Sequence, residues 1–148
     1  MNKPSLSAVL HLLQVHARLD ERFSGELGAV HGLSLKEVLL LMQLAQASRH
    51  RLSRVDLAKR LSASPSTITR MTLPLEKLGL TGRETDPRDA RLAYVVLTDA
   101  GRKAVANATA TLERMSAEVF QDRWSAQEIQ RLADLLARLI AGHPGALA

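Results

Sequence analysis

Residues 52–97 read LSRVDLAKRLSASPSTITRMTLPLEKLGLTGRETDPRDARLAYVVL, and the spacing of apolar residues changes twice within them. Ser53-Arg-Val-Asp56 has the form of a helix start, and Val55, Leu57, Ala58 and Leu61 give a short helix over 54–61. Ser62-Ala-Ser64 makes a tight connection to a second helix. There Ser64 is a natural N-cap, and Pro65 takes the first helical position, where its missing N–H costs nothing. On that second helix Ile68, Met71, Leu75 and Leu78 form one apolar stripe. The opposite side carries Ser66, Thr69, Arg70 and Lys77, with Thr67 on its flank. Beyond Leu80 the period shortens. Thr81 to Thr85 can be extended, Asp86-Pro-Arg-Asp-Ala is turn chemistry, and Leu92 to Leu97 has the β-branched and aromatic content of a strand. Two strands around a polar loop of about six residues make a hairpin.

Working outward, Ser5 to Gly28 reads as a long helix with Leu6, Val9, Leu10, Leu13, Ala17, Phe23 and Leu27 mostly three or four residues apart. Gly32 breaks the chain before Ser34-Leu-Lys-Glu37, a capping-box pattern. The helix it opens runs to about Ala47, with Leu35, Val38, Leu39, Met42 and Ala45 expected inward. Thr98-Asp-Ala-Gly101 starts another helix, bearing Val105, Leu112, Met115 and Val119. Ser125-Ala-Gln-Glu128 opens the last, with Ile129, Leu132, Leu136 and Leu139 inward, and Pro144 and Gly145 end it. The order is four helices, a hairpin and two helices. A lone hairpin cannot build its own core and must lean on the helices. The predicted architecture is mainly α with a small β-hairpin wing: a winged helix-turn-helix over 49–103 in a single domain spanning 1–148. The segments 5–30 and 104–141 form a helical dimerisation part.

Composition narrows the chemistry. The 148 residues include no cysteine, which excludes a disulfide scaffold, a zinc ribbon and a thiol switch. Phe23, Tyr94, Phe120 and Trp124 are the only aromatics, so the core must be aliphatic. The net charge of +5 is unevenly placed. Between Arg49 and Lys103 stand twelve Lys and Arg against six Asp and Glu, while the rest of the chain is slightly acidic. A localised basic block is what a phosphate-binding surface needs, because neutralising phosphates releases condensed counterions. A solvated surface that keeps the protein soluble is the alternative reading of the same charge.

The helix at 65–78 tips the balance. Its exposed N-terminal half is small, hydroxylated and basic, with no acid before Glu76. Small side chains allow close approach to a major groove, hydroxyls bond phosphates or base edges, and an arginine can pair bidentately with guanine. An ordinary surface helix would mix acids and bases. At the hairpin tip, Arg88 and Arg91 sit on a protruding arm suited to a narrow minor groove, and Asp86 and Asp89 could hold them by ion pairing. Pro74 falls inside the recognition helix, removes a bond to the Arg70 carbonyl and is expected to bend it.

Taken together, Leu57-Ala, Ser64-Pro-Ser-Thr-Ile-Thr-Arg70, Leu75-Glu-Lys-Leu-Gly-Leu80, Asp86-Pro-Arg-Asp-Ala-Arg91 and Val96-Leu-Thr-Asp-Ala-Gly101 resemble the MarR family of bacterial regulators. The resemblance extends to the helical flanks and is most specific at Asp89, Arg91 and the Leu-Thr-x-x-Gly that follows. It implies a homodimer with interlocked terminal helices, a recognition helix in the major groove of double-stranded DNA, a wing arginine in the minor groove, and release on binding a small molecule. Carried over by position, Ser64, Ser66, Thr67, Thr69, Arg70, Arg88 and Arg91 would face DNA, with Asp89 bracing the wing. The expected function is a sequence-specific transcriptional regulator, a repressor, on a pseudo-palindromic operator. A nonspecific architectural protein, or a winged helix used for protein contacts, is the competing reading.

The aliphatic stripe from Leu132 to Ile140 also points to a dimer. For an effector, His11, Gln14 and Arg18 share one side of the first helix, with His16 and His31 placed near them, and could receive a small aromatic or anionic molecule. A solvated polar face is the alternative. The five histidines lack metal-ligand spacing, so neither a metal nor a cofactor is expected. No glycine-rich phosphate loop, nucleophile elbow or carboxylate pair points to an enzyme. Without a membrane-length apolar run or a signal-peptide layout, the expectation is a cytoplasmic protein free of the membrane.

Overall fold

The computed structural model describes residues 3–147. The elements in chain order are α1 (Pro4–His31), α2 (Leu35–Gln46), a 3₁₀ turn (Ser48–His50), β1 (Arg51–Ser53), α3 (Arg54–Arg60), α4 (Pro65–Lys77), β2 (Thr81–Thr85), β3 (Ala93–Leu97), α5 (Asp99–Val119) and α6 (Ala126–Leu139). All six expected helices are present. The first is longer than expected: it passes through Gly28 and stops at Gly32, whose φ of 67° ends it in the left-handed conformation. Capping boxes close reciprocally at Ser34/Glu37 and Ser125/Glu128. Ser53 caps α3 by accepting the Asp56 N–H.

The sheet has a third strand that periodicity did not predict. Strand β3 is central: β2 pairs with it from Thr81↔Leu97 to Thr85↔Ala93, and β1 pairs on its other edge from Arg51↔Val96 to Ser53↔Tyr94, all antiparallel. A three-residue strand is too short to show alternation, and pairing with β3 alone makes it a strand.

Helix α2 is the hub. Val38, Leu40, Leu41 and Leu44 are fully buried on it, and it packs against α1, α3, α5, β1 and β3. The expected inward set was therefore too narrow. Leu40, Leu41 and Leu44 join Val38 in the enclosed positions, as the nearly continuous apolar run permits. Leu35, Leu39, Met42 and Ala45 are only half-buried, Met42 and Ala45 because they line an open cleft. Around α2 gather Leu27 of α1, Leu57 and Ala58 of α3, Ile68 and Leu75 of α4, Val95 and Leu97 of β3, and Val105 and Ala108 of α5.

Helices α1 and α5 are joined by charge at the same end. Arg114 bonds both Glu26 and Glu118, and Arg22 donates to Glu118 at 2.9 Å. The Glu26 hydrogen bond, then that of Glu118, raises the Arg114 guanidinium above its ordinary value. Met115 of α5 is fully buried beside them, but α6 is largely exposed. No residue of α6 is fully buried: of its expected inward stripe Ile129 and Leu132 are half-buried, whereas Leu136 and Leu139 are 37% and 69% exposed. Among the described residues no single helix is long and apolar enough to cross a membrane.

Candidate nucleic-acid interface

Helices α3 and α4 are joined by Leu61–Ser64, where Ser62 takes a positive φ of 51°. Ser64 caps α4 by accepting the Thr67 N–H at 3.2 Å, and its hydroxyl also meets those of Ser66 (3.0 Å) and Thr67 (2.9 Å). Thr69 donates to the Pro65 carbonyl at 3.2 Å, and Arg70 reaches the Thr67 hydroxyl at 3.4 Å. The result is a run of interlocked hydroxyls with one arginine. Ser64, Ser66 and Arg70 are exposed, while Thr67 and Thr69 are half-buried. Ile68 and Leu75 hold the opposite side in the core.

Two positions on α4 depart from the sequence reading. Leu78, expected in the apolar stripe, is 61% exposed because it lies beyond the last helical turn, at the C-cap. Its place is taken by Thr72, four residues after Ile68, whose hydroxyl is satisfied by the Thr69 carbonyl at 3.2 Å. Pro74 sits inside α4 without ending it.

The wing is β2, β3 and the loop 86–92 between them. Its aspartates brace the arginines, though not by ion pairing as expected. Asp86 accepts the Arg88 backbone N–H at 2.8 Å, and Asp89 accepts that of Arg91 at 3.0 Å. These are Asx turns, which fix the backbone and leave the guanidiniums unengaged. Among the described residues neither Arg88, Arg91 nor Arg70 forms an ion pair. Three cations therefore stand on exposed supports with no protein partner for their charge.

Several residues that the sequence reading passed over set the wing against α4. Arg83 of β2 donates to Glu76 of α4 at 3.0 Å. Arg51 of β1 donates to Glu84 at 2.7 Å and lies 4.4 Å from the centre of the Tyr94 ring. Thr98 caps α5 through the Gly101 N–H, and its hydroxyl donates to the Gly79 carbonyl at 2.6 Å. Gly101 has no room for a side chain, because a Cβ would collide with the Leu80 carbonyl. The Leu97–Gly101 motif is thus a crossing point, where α5 starts in contact with the turn after α4. Opposite charges at Arg51, Glu76, Arg83 and Glu84 were the available signal, but pairing across elements is invisible without the strand register.

The effector candidates His11, Gln14 and Arg18 are exposed and do share one groove of about 570 Å³, lined also by Val15 and Ala17. His31 does not join them. It lies thirteen residues beyond Arg18 along α1, roughly 20 Å away at 1.5 Å per residue, and meets the Thr111 hydroxyl at 2.8 Å. A second cleft, of about 550 Å³, was not expected from sequence. It lies between α2 and α5, with Met42, Ala45 and Val105 on its apolar wall and His50, Arg102 and Glu113 at its rim. His50 directs Nδ1 to the Ala45 carbonyl at 3.1 Å, which leaves Nε2 available. Among the described residues no group of three or more His, Cys, Asp or Glu is arranged to hold a metal ion.

A sequence profile of the MarR family matches residues 33–92. The chain is 33% identical over 111 residues to the HTH-type transcriptional regulator YdgJ of Bacillus subtilis, the match covering 75% of this chain and 66% of that one. It is 30% identical over 112 residues to a second such regulator of that organism, YhbI, covering 74% and 71%. The fold is also that of a MarR family transcriptional regulator from Streptomyces coelicolor solved in complex with DNA. There the TM-score is 0.82 at 22% identity, over 96% of this chain and 89% of that one.

Proposed function

The chain belongs to the MarR family of DNA-binding transcriptional regulators, and from that premise we propose that it acts in the cytoplasm as a homodimeric repressor on a two-fold-related operator. Helix α4 enters the major groove with Ser66, Thr67, Thr69 and Arg70, while Ser64 holds the helix start. The wing lays Arg88 and Arg91 along the adjacent minor groove, where a narrow A·T-rich stretch concentrates negative potential. The observation that carries this reading is the set of three unpaired arginines on two supports joined by the Arg83–Glu76 bond. Bound phosphates or base edges would supply the partners that the protein does not.

The second copy is argued from α1. At 100° per residue Leu6, Val9, Leu13 and Leu27 fall on one side. Leu27 is fully buried, yet Leu6, Val9 and Leu13 are 56%, 51% and 60% exposed. A stripe that is core at one end and bare at the other, together with the bare α6, fits a partner that completes the core. Two-fold symmetry then sets the recognition helices about one DNA turn apart.

A small anionic or aromatic effector would find its better seat in the cleft between α2 and α5. That cleft offers an apolar wall with Arg102 and His50 beside it, whereas the His11, Gln14 and Arg18 groove runs along a single helix, on the side turned away from the proposed dimer stripe. Selection of duplexes from a random pool at near-physiological salt tests the whole reading. Enrichment of a two-fold site is expected. Binding without enrichment would replace it with an architectural role, and no binding would point to protein contacts.

A further inference from the structure

The chain does not leave the fold after α6. Gly142, with φ of 80°, turns it back, and the segment His143–Leu147 lies across the base of the helix-turn-helix. Gln43 of α2, only 1% exposed, donates through Nε2 to the Gly145 carbonyl at 2.7 Å and accepts from Arg60 of α3 at 3.4 Å. Gln46 donates to the Leu147 carbonyl at 3.3 Å. A buried glutamine has to satisfy both ends of its amide, and here one end is answered by this segment. The His143 ring is equally specified. Nδ1 accepts the Gly145 N–H at 3.0 Å, so the neutral ring carries its proton on Nε2 and donates to the Ser62 hydroxyl at 3.1 Å.

Gly145 makes the contact close. A Cβ at that position would run into the Arg60 carbonyl, so only glycine lets the two backbones touch. Ser62, the residue His143 reaches, is the left-handed position in the α3–α4 turn, a conformation that L-residues adopt at a cost. The segment therefore grips the one strained point between the two helices of the DNA-reading unit.

We propose that residues 142–147 are a strap that fixes the α3–α4 turn, and with it the start of the recognition helix, to the end of α6, with Gln43, His143 and Gly145 as its positioning residues. Helix α5 already leaves that unit at Thr98, beside the wing. With the strap, the α5–α6 arm holds the unit at two points, and a shift of α6 is delivered to the start of α4. Only the consequence for operator binding rests on the function proposed above.

Gly145→Ala in the full chain is the test, with Ala146→Ser, at an exposed site, as control and Gln43→Leu as a second route to the same loosening. Amide hydrogen exchange of the free protein is read at Leu61, Ser62, Ala63 and Ile68, whose N–H groups close the turn and the start of α4. Both variants should speed exchange there by roughly tenfold or more while leaving the buried end of α1 unchanged. With DNA, they should also broaden the range of half-site spacings that are tolerated. Unchanged exchange in both variants, or equal acceleration throughout the chain, would overturn the strap. If the wild type selected no operator, the DNA-binding reading would fail while the exchange measurement still decided the strap.

Discussion

Gly101→Ala puts the packing of the α5 start to a quantitative test. The new methyl would collide with the Leu80 carbonyl and stand 2.6 Å from Cδ1 of Leu97. The leucine tip can rotate away, but the carbonyl cannot, because it already accepts the Thr98 N–H at 3.1 Å. Relief requires the first turn of α5 to lift from the turn after α4, which stretches that bond and the one from the Thr98 hydroxyl to Gly79. Losing both costs about 2 kcal/mol, and residual overpacking adds about 1–3 kcal/mol. Alanine returns about 1 kcal/mol through its higher helix propensity. The net loss is about 2–4 kcal/mol, and the lower figure alone is a fall in Tm of roughly 4–8 °C for a chain of this size. Thermal unfolding followed by circular dichroism, at one protein concentration so that any self-association contributes equally, reads it directly. Gly82→Ala is the control, since open space surrounds a Cβ there and its φ is not positive. An unchanged or raised Tm for Gly101→Ala would refute the idea that close approach is what requires glycine at this position.

Arg70→Ala should lower operator affinity by about 1–3 kcal/mol and relax preference at one base pair, whereas Arg91→Ala should chiefly weaken sites with A·T-rich flanks. Equal losses of both variants on every sequence in a competition titration would defeat that division of roles. Ser64→Ala removes the α4 cap and should cost about 1 kcal/mol in urea unfolding, with no loss telling against the cap. The paired change Val9→Asp and Leu13→Asp should leave a folded monomer in sedimentation equilibrium that binds half-sites only. A dimer persisting at micromolar concentration would remove the α1 stripe from the interface.

The parts of the fold legible in the sequence were those fixed by local chemistry. Ser34/Glu37 and Ser125/Glu128 announce helix starts because both partners of each capping box lie within four residues. Ser64 and Pro65 mark the start of α4 for the same reason. What stayed hidden depends on neighbours distant in sequence. Strand β1 exists because β3 offers it a second edge, and nothing in Arg51-Leu-Ser53 alone says so. The extra burial around α2 arises from being enclosed by several elements. The wing shows the same limit: the sequence pairs Asp86 and Asp89 with arginine side chains, whereas the structure has them bond to the arginine backbones. Sequence placed the right residues together there, but the atoms that meet follow from the turn geometry.

That difference matters for how the wing can work. Had Asp89 paired with the Arg91 guanidinium, DNA would have to break an ion pair to reach it, and the aspartate would oppose the approaching phosphate. With Asp89 spent on the backbone N–H, the loop is shaped on its own and the cation is left free, as the proposed minor-groove role requires. Helix α4, the proposed recognition helix, follows the same plan. Ser64 holds the backbone, Thr69 bonds back to Pro65, and Arg70 keeps its charge unpaired. Short polar side chains fix the supports and long cationic ones remain uncommitted, so ordering costs at the interface fall mainly on a few arginine rotamers rather than on the loops that carry them.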